Sequence, residues 1–274
     1  MKIYPFSEKI WVFQSEKNYS NVVLIKDDDT FILVDTFIFP KDNENLKNKL
    51  LKVTDKIKWI FITHFHSDHY YGLDKFKEAH TKLIVQQNYH KTITAEKEFK
   101  QSKVIYNRKN EIKPDMIFHQ EYKLTPDITL YYTPGHSLDS SILFLEPEKI
   151  IIAGDTILGS LNNKYLIPAF YLGQMNSLRQ SLEHILHLNP NKIIPGHGEI
   201  VDKKKVEFDL SYLETLKKIL HSNRKQNKSK TKQDLKKISL DSCVLNKNYE
   251  KRISKKAHLE NLKKIIKIYH WRSK

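Results

Sequence analysis

The sequence predicts a mixed α/β (α+β) body followed by a small helical appendage. Two observations predict the body: short apolar runs bounded by polar or glycine-containing turns read as strands, and stretches between them carry leucines at helical spacing. The third observation is charge. Residues 1–202 hold 25 Lys/Arg against 25 Asp/Glu, whereas residues 203–274 hold 22 against 7, the whole +15 excess of the chain. A lysine-rich composition explains many lysines, but not a neutral body beside a basic tail. The expected division is therefore 1–202 and 203–274, with an anionic partner for the second unit.

In chain order, Lys9–Gln14 and Val22–Lys26 read as strands, and Asp27-Asp28-Asp29 turns the chain into a third, Thr30–Asp35. Residues 41–53, with Leu46, Leu50 and Leu51, read as a helix before the buried strand Trp59–Ile62. A helix near Gly72–Ala79 and a strand at Lys82–Gln86 follow, then helix and surface loop over 88–110. Asp115–Leu124 and Ile128–Thr133 read as two strands, as do Ser140–Glu146 and Lys149–Ile152. Met175–Leu188 is an amphipathic helix with Leu178, Leu182, Ile185 and Leu188 on one stripe, and Lys192–Ile194 is a last strand.

The strand ends carry the chemistry. Trp59–Ile62 runs into Thr63-His64-Phe65-His66-Ser67-Asp68-His69, in which His64 and His66, two apart at the end of an extended segment, face one point. Three imidazoles and a carboxylate within six residues form a metal-ligand pattern suited to zinc, iron or manganese, without sulfur. The same event recurs at Pro134-Gly135-His136-Ser137, at Gly154-Asp155-Thr156 and at Pro195-Gly196-His197-Gly198: a strand stops, a glycine allows a sharp turn or close approach, and a histidine or aspartate is presented. Seven such groups match what two zinc ions need, at roughly four contacts each with one group and a water shared.

The order HxHxDH, PGHS, GDT, PGHG resembles the metallo-β-lactamase superfamily over about residues 1–200. The resemblance implies an αβ/βα sandwich with metals at one sheet edge. It also implies one metal held by His64, His66 and His136, a second by Asp68, His69 and His197, and Asp155 bridging. Many true metallo-β-lactamases supply a cysteine where Asp155 stands; Cys243, the single cysteine, lies far away, which argues against antibiotic hydrolysis. GDTILG, MNSL and PGHG, with a looser match at Ala257–Lys264, are similar to the β-lactamase-like protein 2 group. That group adds a winged-helix-like C-terminal part, and some members cleave single-stranded RNA.

The expected reaction is hydrolysis. Two cations lower the pKa of a shared water toward neutrality, and the resulting hydroxide attacks carbon or phosphorus while the cations take up developing charge. Asp68 is the expected catalytic group, orienting the nucleophile and carrying its proton to the leaving group. A phosphodiester, single-stranded RNA in particular, is the preferred substrate; an ester, thioester or lactone is the alternative, and an iron-dependent persulfide dioxygenase the chemical rival. Around the site, Tyr165, Phe170 and Tyr171 in the irregular 157–174 stretch, and Tyr70 and Tyr71 after His69, either line a pocket or pack the core. The remaining histidines, His258 among them, fit surface or packing roles.

In the tail, Val206, Leu210, Leu213, Leu216 and Leu220 mark a helix over about 203–221 and Ser222–Lys232 a basic linker. Thr231 and Asp234 cap a short helix carrying Leu235 and Ile238, and Leu259, Leu262, Ile266 and Tyr269 form a last stripe. The lysines serve solubility, steer an acidic ligand or grip a phosphate backbone, with Trp271, Tyr269 and Tyr249 available for stacking. One cysteine excludes a disulfide framework, and the first residues lack an apolar signal-peptide core; a cytoplasmic protein without membrane contact is expected, and a homodimer is compatible with it.

Overall fold

The computed structural model describes residues 1–54, 56–98, 113–171, 174–226 and 237–271. Two sheets pack face to face. The first has seven strands in sequence order: β1 Lys2–Pro5, β2 Ile10–Gln14, β3 Asn21–Asp27, β4 Thr30–Val34, β5 Ile57–Phe61, β6 Lys82–Gln86 and β7 Met116–Phe118. Pairing is antiparallel from β1 to β4 and parallel from β4 to β7. In the second sheet the order is β14-β11-β10-β9-β8, formed by β8 Glu121–Thr125, β9 Ile128–Tyr132, β10 Ser141–Leu145, β11 Ile150–Leu158 and β14 Lys192–His197.

Both faces of the central strands are buried, so they read as continuous apolar runs. Val23, Ile25, Ile32, Val34 and Phe61 face Ile128, Leu130, Leu143, Ile152 and Ile194 between the sheets. Val22, Leu24, Leu33 and Ile60 face outward onto Leu46 and Leu50 of α1 (Pro40–Leu50). Pro40 starts that helix, where its missing N–H costs nothing. On the far side, Ile142, Ile151 and Ile193 lie in one cluster with Leu178, Leu182 and Ile185 of α4 (Met175–His187). The layers are helix, sheet, sheet, helix, the αβ/βα sandwich.

The appendage joins that last layer. Val206, Leu213 and Leu216 of α5 (Lys203–Gln226), Leu240 and Cys243 of α6 (Leu240–Cys243) and Leu262 and Ile265 of α7 (Lys251–Trp271) belong to the cluster that covers the second sheet. Among the described residues of the appendage every element is helical, and its β contact with the body is the isolated bridge Tyr165–Tyr249.

Several elements differ from the sequence reading. Asp115–Leu124 is two strands, not one: β7 ends the first sheet and β8 begins the second, with only the polar pair His119-Gln120 between them. β11 does not stop at Ile152 but continues through Asp155 to Leu158, with register shifts around Gly154. The 72–79 helix is a 3-10 turn at Leu73–Lys75, preceded by the short α2, Ser67–Tyr70. β1 and the small hairpin β12–β13 (Ser160–Leu161, Lys164–Tyr165) were not anticipated. α5 extends to Gln226, into the expected linker, and the Thr231–Asp234 cap lies outside the described residues. In α7 the buried stripe is His258, Leu262, Ile265 and Ile266, while Leu259 is 43% exposed. Polar His258 and Asn261 rotate the inward face because each is anchored by hydrogen bonds.

Candidate metal centre

β5 delivers His64 three residues past its end, and His66 holds the N-cap position of α2, which carries Asp68 and His69. His136 follows β9, Asp155 sits in β11 and His197 closes β14. All seven converge. Potential ligand atoms of His64, His66 and His136 lie within 4.8 Å of one another, as do those of Asp68, His69 and His197, and those of His64, His69 and Asp155.

Asp155 lies between the two triads. Its Oδ2 is 3.4 Å from His136 Nε2 and 4.0 Å from His64 Nε2, while its Oδ1 is 3.4 Å from His69 Nε2 and 3.5 Å from His197 Nε2. In the first triad, His66 Nδ1 is 3.0 Å from both His64 Nε2 and His136 Nε2. In the second, Asp68 Oδ2 is 3.2 Å from His197 Nε2 and Oδ1 is 3.9 Å from His69 Nε2. Ligands held tetrahedrally at 2.0–2.1 Å from zinc stand about 3.3 Å apart. The donor atoms are therefore spaced as metal ligands are, with Asp155 next to both histidine sets. Buried His69 Nε2 and Asp155 Oδ1 have no hydrogen-bond partner among the described residues, the condition of ligands aimed at an ion.

Four imidazoles are oriented from behind through their remote nitrogens. His136 Nδ1 donates to Ala169 O (3.0 Å), His197 Nδ1 to Asn18 O (2.9 Å) and His69 Nδ1 to Asp35 Oδ2 (2.9 Å). His64 Nδ1 donates to Thr63 Oγ1 (3.2 Å), which donates to Asp35 Oδ2 (2.8 Å). Asp35 thus steadies one histidine of each triad, from a left-handed backbone (φ 64°) tolerated by few residues other than Gly, Asn and Asp. Asp139 accepts from Phe65 N, Thr92 Oγ1 and Ser137 Oγ, tying the HxH segment to the PGHS loop. Neither aspartate was singled out from the sequence. The available signal for Asp35 was its place just past β4, the parallel neighbour of β5.

Two glycines make room. A Cβ on Gly196 would lie 2.0 Å from Asp155 Oδ1, and Gly135 turns the His136 loop at φ 147° with Leu178 against it. The electrostatics divide along the same line. Burial, reinforced by the charges of His69 and His66, holds His64 far below the usual imidazole range, and burial with the His136 charge brings His66 to about 3. Burial opposes charge on His197 and His69 too, but Asp155 with Asp68 lifts His197 to about 9, and Asp155 with Asp35 lifts His69.

Of the ambiguous aromatics, Phe170 and Tyr70 are core residues at 1% and 2% exposure, Tyr70 packing on Phe65. Tyr165 turns toward the appendage, its ring 5.2 Å from that of Phe208. Tyr249 is buried with its hydroxyl on Asp241, so it is not available for stacking. The side chains of Tyr269 and Trp271 lie outside the described set.

The Metallo-beta-lactamase superfamily matches residues 16–197, and the chain belongs to that family of metal-dependent hydrolases. It is 30% identical over 177 residues to the Beta-lactamase-like protein 2 homolog of Caenorhabditis elegans (62% of this chain, 51% of that protein). It is 27% identical over 209 residues to the homolog of that name in Drosophila melanogaster (70% of this chain, 64% of that protein). The chain thus spans about half to two thirds of the length of these relatives. In fold it is similar to the crystal structure of DIM-1 metallo-beta-lactamase, with TM-score 0.61, 21% identity, and 78% of this chain and 97% of that one covered.

Proposed function

We propose that this member of the metallo-β-lactamase superfamily is a two-metal hydrolase of phosphodiesters, with single-stranded RNA the foremost candidate substrate. The observation that carries the metal reading is Asp155, buried, with one oxygen toward each histidine set. His64, His66 and His136 would hold one cation and Asp68, His69 and His197 the other, with Asp155 shared. Nitrogen-rich sites with two carboxylates suit zinc, with iron and manganese as alternatives that elemental analysis of the purified protein separates. When bound, such a pair would supply an activated water and charge stabilisation at the acceptor oxygen of the substrate.

The chain's own residues do the rest. Asp68 is about a quarter exposed, at 28%, against 9% for Asp155, so it reaches the open side of the centre. There its carboxylate would orient the attacking water and take its proton, which passes to the leaving group. Asp68→Ala is expected to reduce turnover by roughly 10²–10⁴-fold with the fold retained; near-wild-type turnover removes Asp68 from the mechanism.

The phosphodiester reading draws support from the basic excess of 203–274 and from the packing of that appendage onto the body's own core. The division at 202/203 is proposed as one of charge and role, with a shared core beneath it. A panel of single-stranded RNA, a phosphodiester reporter, S-lactoylglutathione and an acyl lactone tests the reading, with Asp155→Ala as the inactive control. Cleavage of RNA or the reporter supports it; turnover of the thioester or lactone alone replaces it with the carboxyl-ester alternative. RNA binding that weakens steeply with salt is the expected signature of the appendage.

A further inference from the structure

One buried face of α7 is polar where an apolar stripe would ordinarily pack. Ser254, His258 and Asn261 stand at i, i+4 and i+7 on one side of the helix, and none is more than 2% exposed. Burying three polar side chains costs stability unless each is bonded. Here each is. His258 Nε2 donates to Ile238 O (3.0 Å), which leaves Nδ1 to accept from the Tyr212 hydroxyl (2.9 Å). That hydroxyl accepts in turn from Asn261 Nδ2 (3.3 Å), so the orientation of the Asn261 carboxamide is set from within the appendage.

The far side of this network is the backbone of residues 167–170. Ser254 Oγ accepts from Ile167 N (3.3 Å), and Asn261 Nδ2 donates to Pro168 O (2.9 Å) while its Oδ1 accepts from Phe170 N (3.3 Å). Lys264 Nζ donates to Phe170 O (2.8 Å). The segment belongs to no strand or helix, so side chains of α7 satisfy backbone groups that regular structure would otherwise pair. The carbonyl between the two groups that Asn261 holds turns the other way: Ala169 O accepts from His136 Nδ1 (3.0 Å). The next residue closes on the same loop, with Tyr171 N donating to Gly135 O (2.7 Å). A carbonyl oxygen only accepts, so His136 carries its hydrogen on Nδ1 and keeps the Nε2 lone pair for the side where Asp155 and His66 lie.

We propose that Asn261 is a positioning residue for His136. By holding Pro168 O and Phe170 N it fixes Ala169 O between them, and that carbonyl sets the tautomer and tilt with which the ring meets a metal. The appendage then serves the centre from behind, whatever its basic surface binds. The proposal rests on the reading of His136 as a ligand and is independent of which substrate is cleaved.

The test compares, in the full-length chain, Asn261→Ala, which removes both backbone bonds, with Leu262→Ala, which removes packing at the adjacent buried position. Chelator competition on the zinc-loaded chain reads the affinity of each ion. Nitrogen-correlated NMR of the histidine rings in the metal-free chain reads which nitrogen carries the hydrogen, with the His136 signal identified by its loss in His136→Ala. Asn261→Ala is expected to weaken the zinc ion that His136→Ala also loses by roughly 3–10-fold, less than the 10–100-fold typical of a partner bonded to the ligand itself. It should also move the His136 ring from the Nδ1–H form toward a mixture of tautomers. Leu262→Ala should lower Tm yet leave both readouts at the wild-type level. Ser254→Ala, a smaller change that deletes only the acceptor of Ile167 N, should act in the same direction as Asn261→Ala and more weakly, and it decides if Asn261→Ala does not fold. Zinc affinity or a ring signal at the wild-type level, or equal losses in Leu262→Ala, overturns the proposal. If His136→Ala keeps both zinc ions, the ligand reading of His136 fails, and the ring signal alone decides whether Asn261 positions it.

Discussion

Two places in this molecule bury charge, and they do so differently. At the metal centre seven ionisable or imidazole groups come from separate points along the chain to one spot. On α5, Lys205 and Asp209, both fully buried, pair across one helical turn, with the ammonium near the rings of Tyr165 and Phe208. Each place leaves buried carboxylate oxygen without a partner among the described residues: Asp155 Oδ1 in one, Asp209 Oδ1 in the other. A lone unsatisfied atom therefore does not mark a site. Convergence does: at the centre the open atoms face each other at ligand spacing, whereas the helix pair closes on itself.

The sharpest break in that comparison is Asp155→Ala. Because both histidine sets share this carboxylate, bound metal should drop in both and turnover should fall by more than about 10³-fold, beyond the loss typical of one positioned group. Metal analysis alongside kinetics checks it. Loss of metal from one set only would show that the two triads are independent sites. At the helix pair the expected damage is to stability. Lys205→Met strands a buried carboxylate and should cost about 3–5 kcal/mol, a drop in Tm on the order of 10 °C. Lys205→Met with Asp209→Leu should recover most of it, since two apolar groups need no partner. Thermal melts of both variants decide, and metal content should stay at the wild-type level.

How much of this was legible follows from the kind of signal each place sends. HxHxDH, PGHS, GDT and PGHG compress ligands into short motifs at strand ends, so the centre could be read without coordinates. The strands that position it were legible because both their faces are apolar. Asp35 was not, because a single aspartate after a hairpin looks like an ordinary turn until β4 is placed beside β5. Lys205 looked like one more solvated lysine of the basic tail; only packing against Tyr165 and Phe208 shows it inside. The single strand expected at Asp115–Leu124 failed for a similar reason, since no glycine or proline marks the change of sheet.

Asp35 also sharpens the comparison, since it serves the centre without being a ligand. Asp35→Asn keeps an acceptor for Thr63 N but turns an amide N–H toward His69 Nδ1 or Thr63 Oγ1, where donors already point. Metal affinity or activity should fall about 10–100-fold, less than for Asp155→Ala. Competition with a chelator measures it, and affinity unchanged from wild type would reduce Asp35 to a packing residue.

The smallest expected effect is a slope with pH at the helix pair. Burial pushes the Asp209 carboxyl up from 3.8 to about 6, with Lys205 opposing but not cancelling the shift. The folded state then holds this proton over a range in which the unfolded chain has released it. The group's stabilising contribution is therefore present below about pH 4 and lost as pH rises through about 6, the reverse of a carboxylate whose pKa is depressed. Lys205 is drawn down by burial, so its own effect falls on the alkaline side. Comparing wild type with the Lys205→Met, Asp209→Leu pair removes this one contribution and leaves Asp139, also raised to about 6 by burial, in both proteins. Wild type should gain on the double variant as pH falls from about 7 to about 5. A Tm difference that stays flat, or runs the other way, would mean that Asp209 is ionised throughout and that the pair is a tighter ion pair than its burial implies.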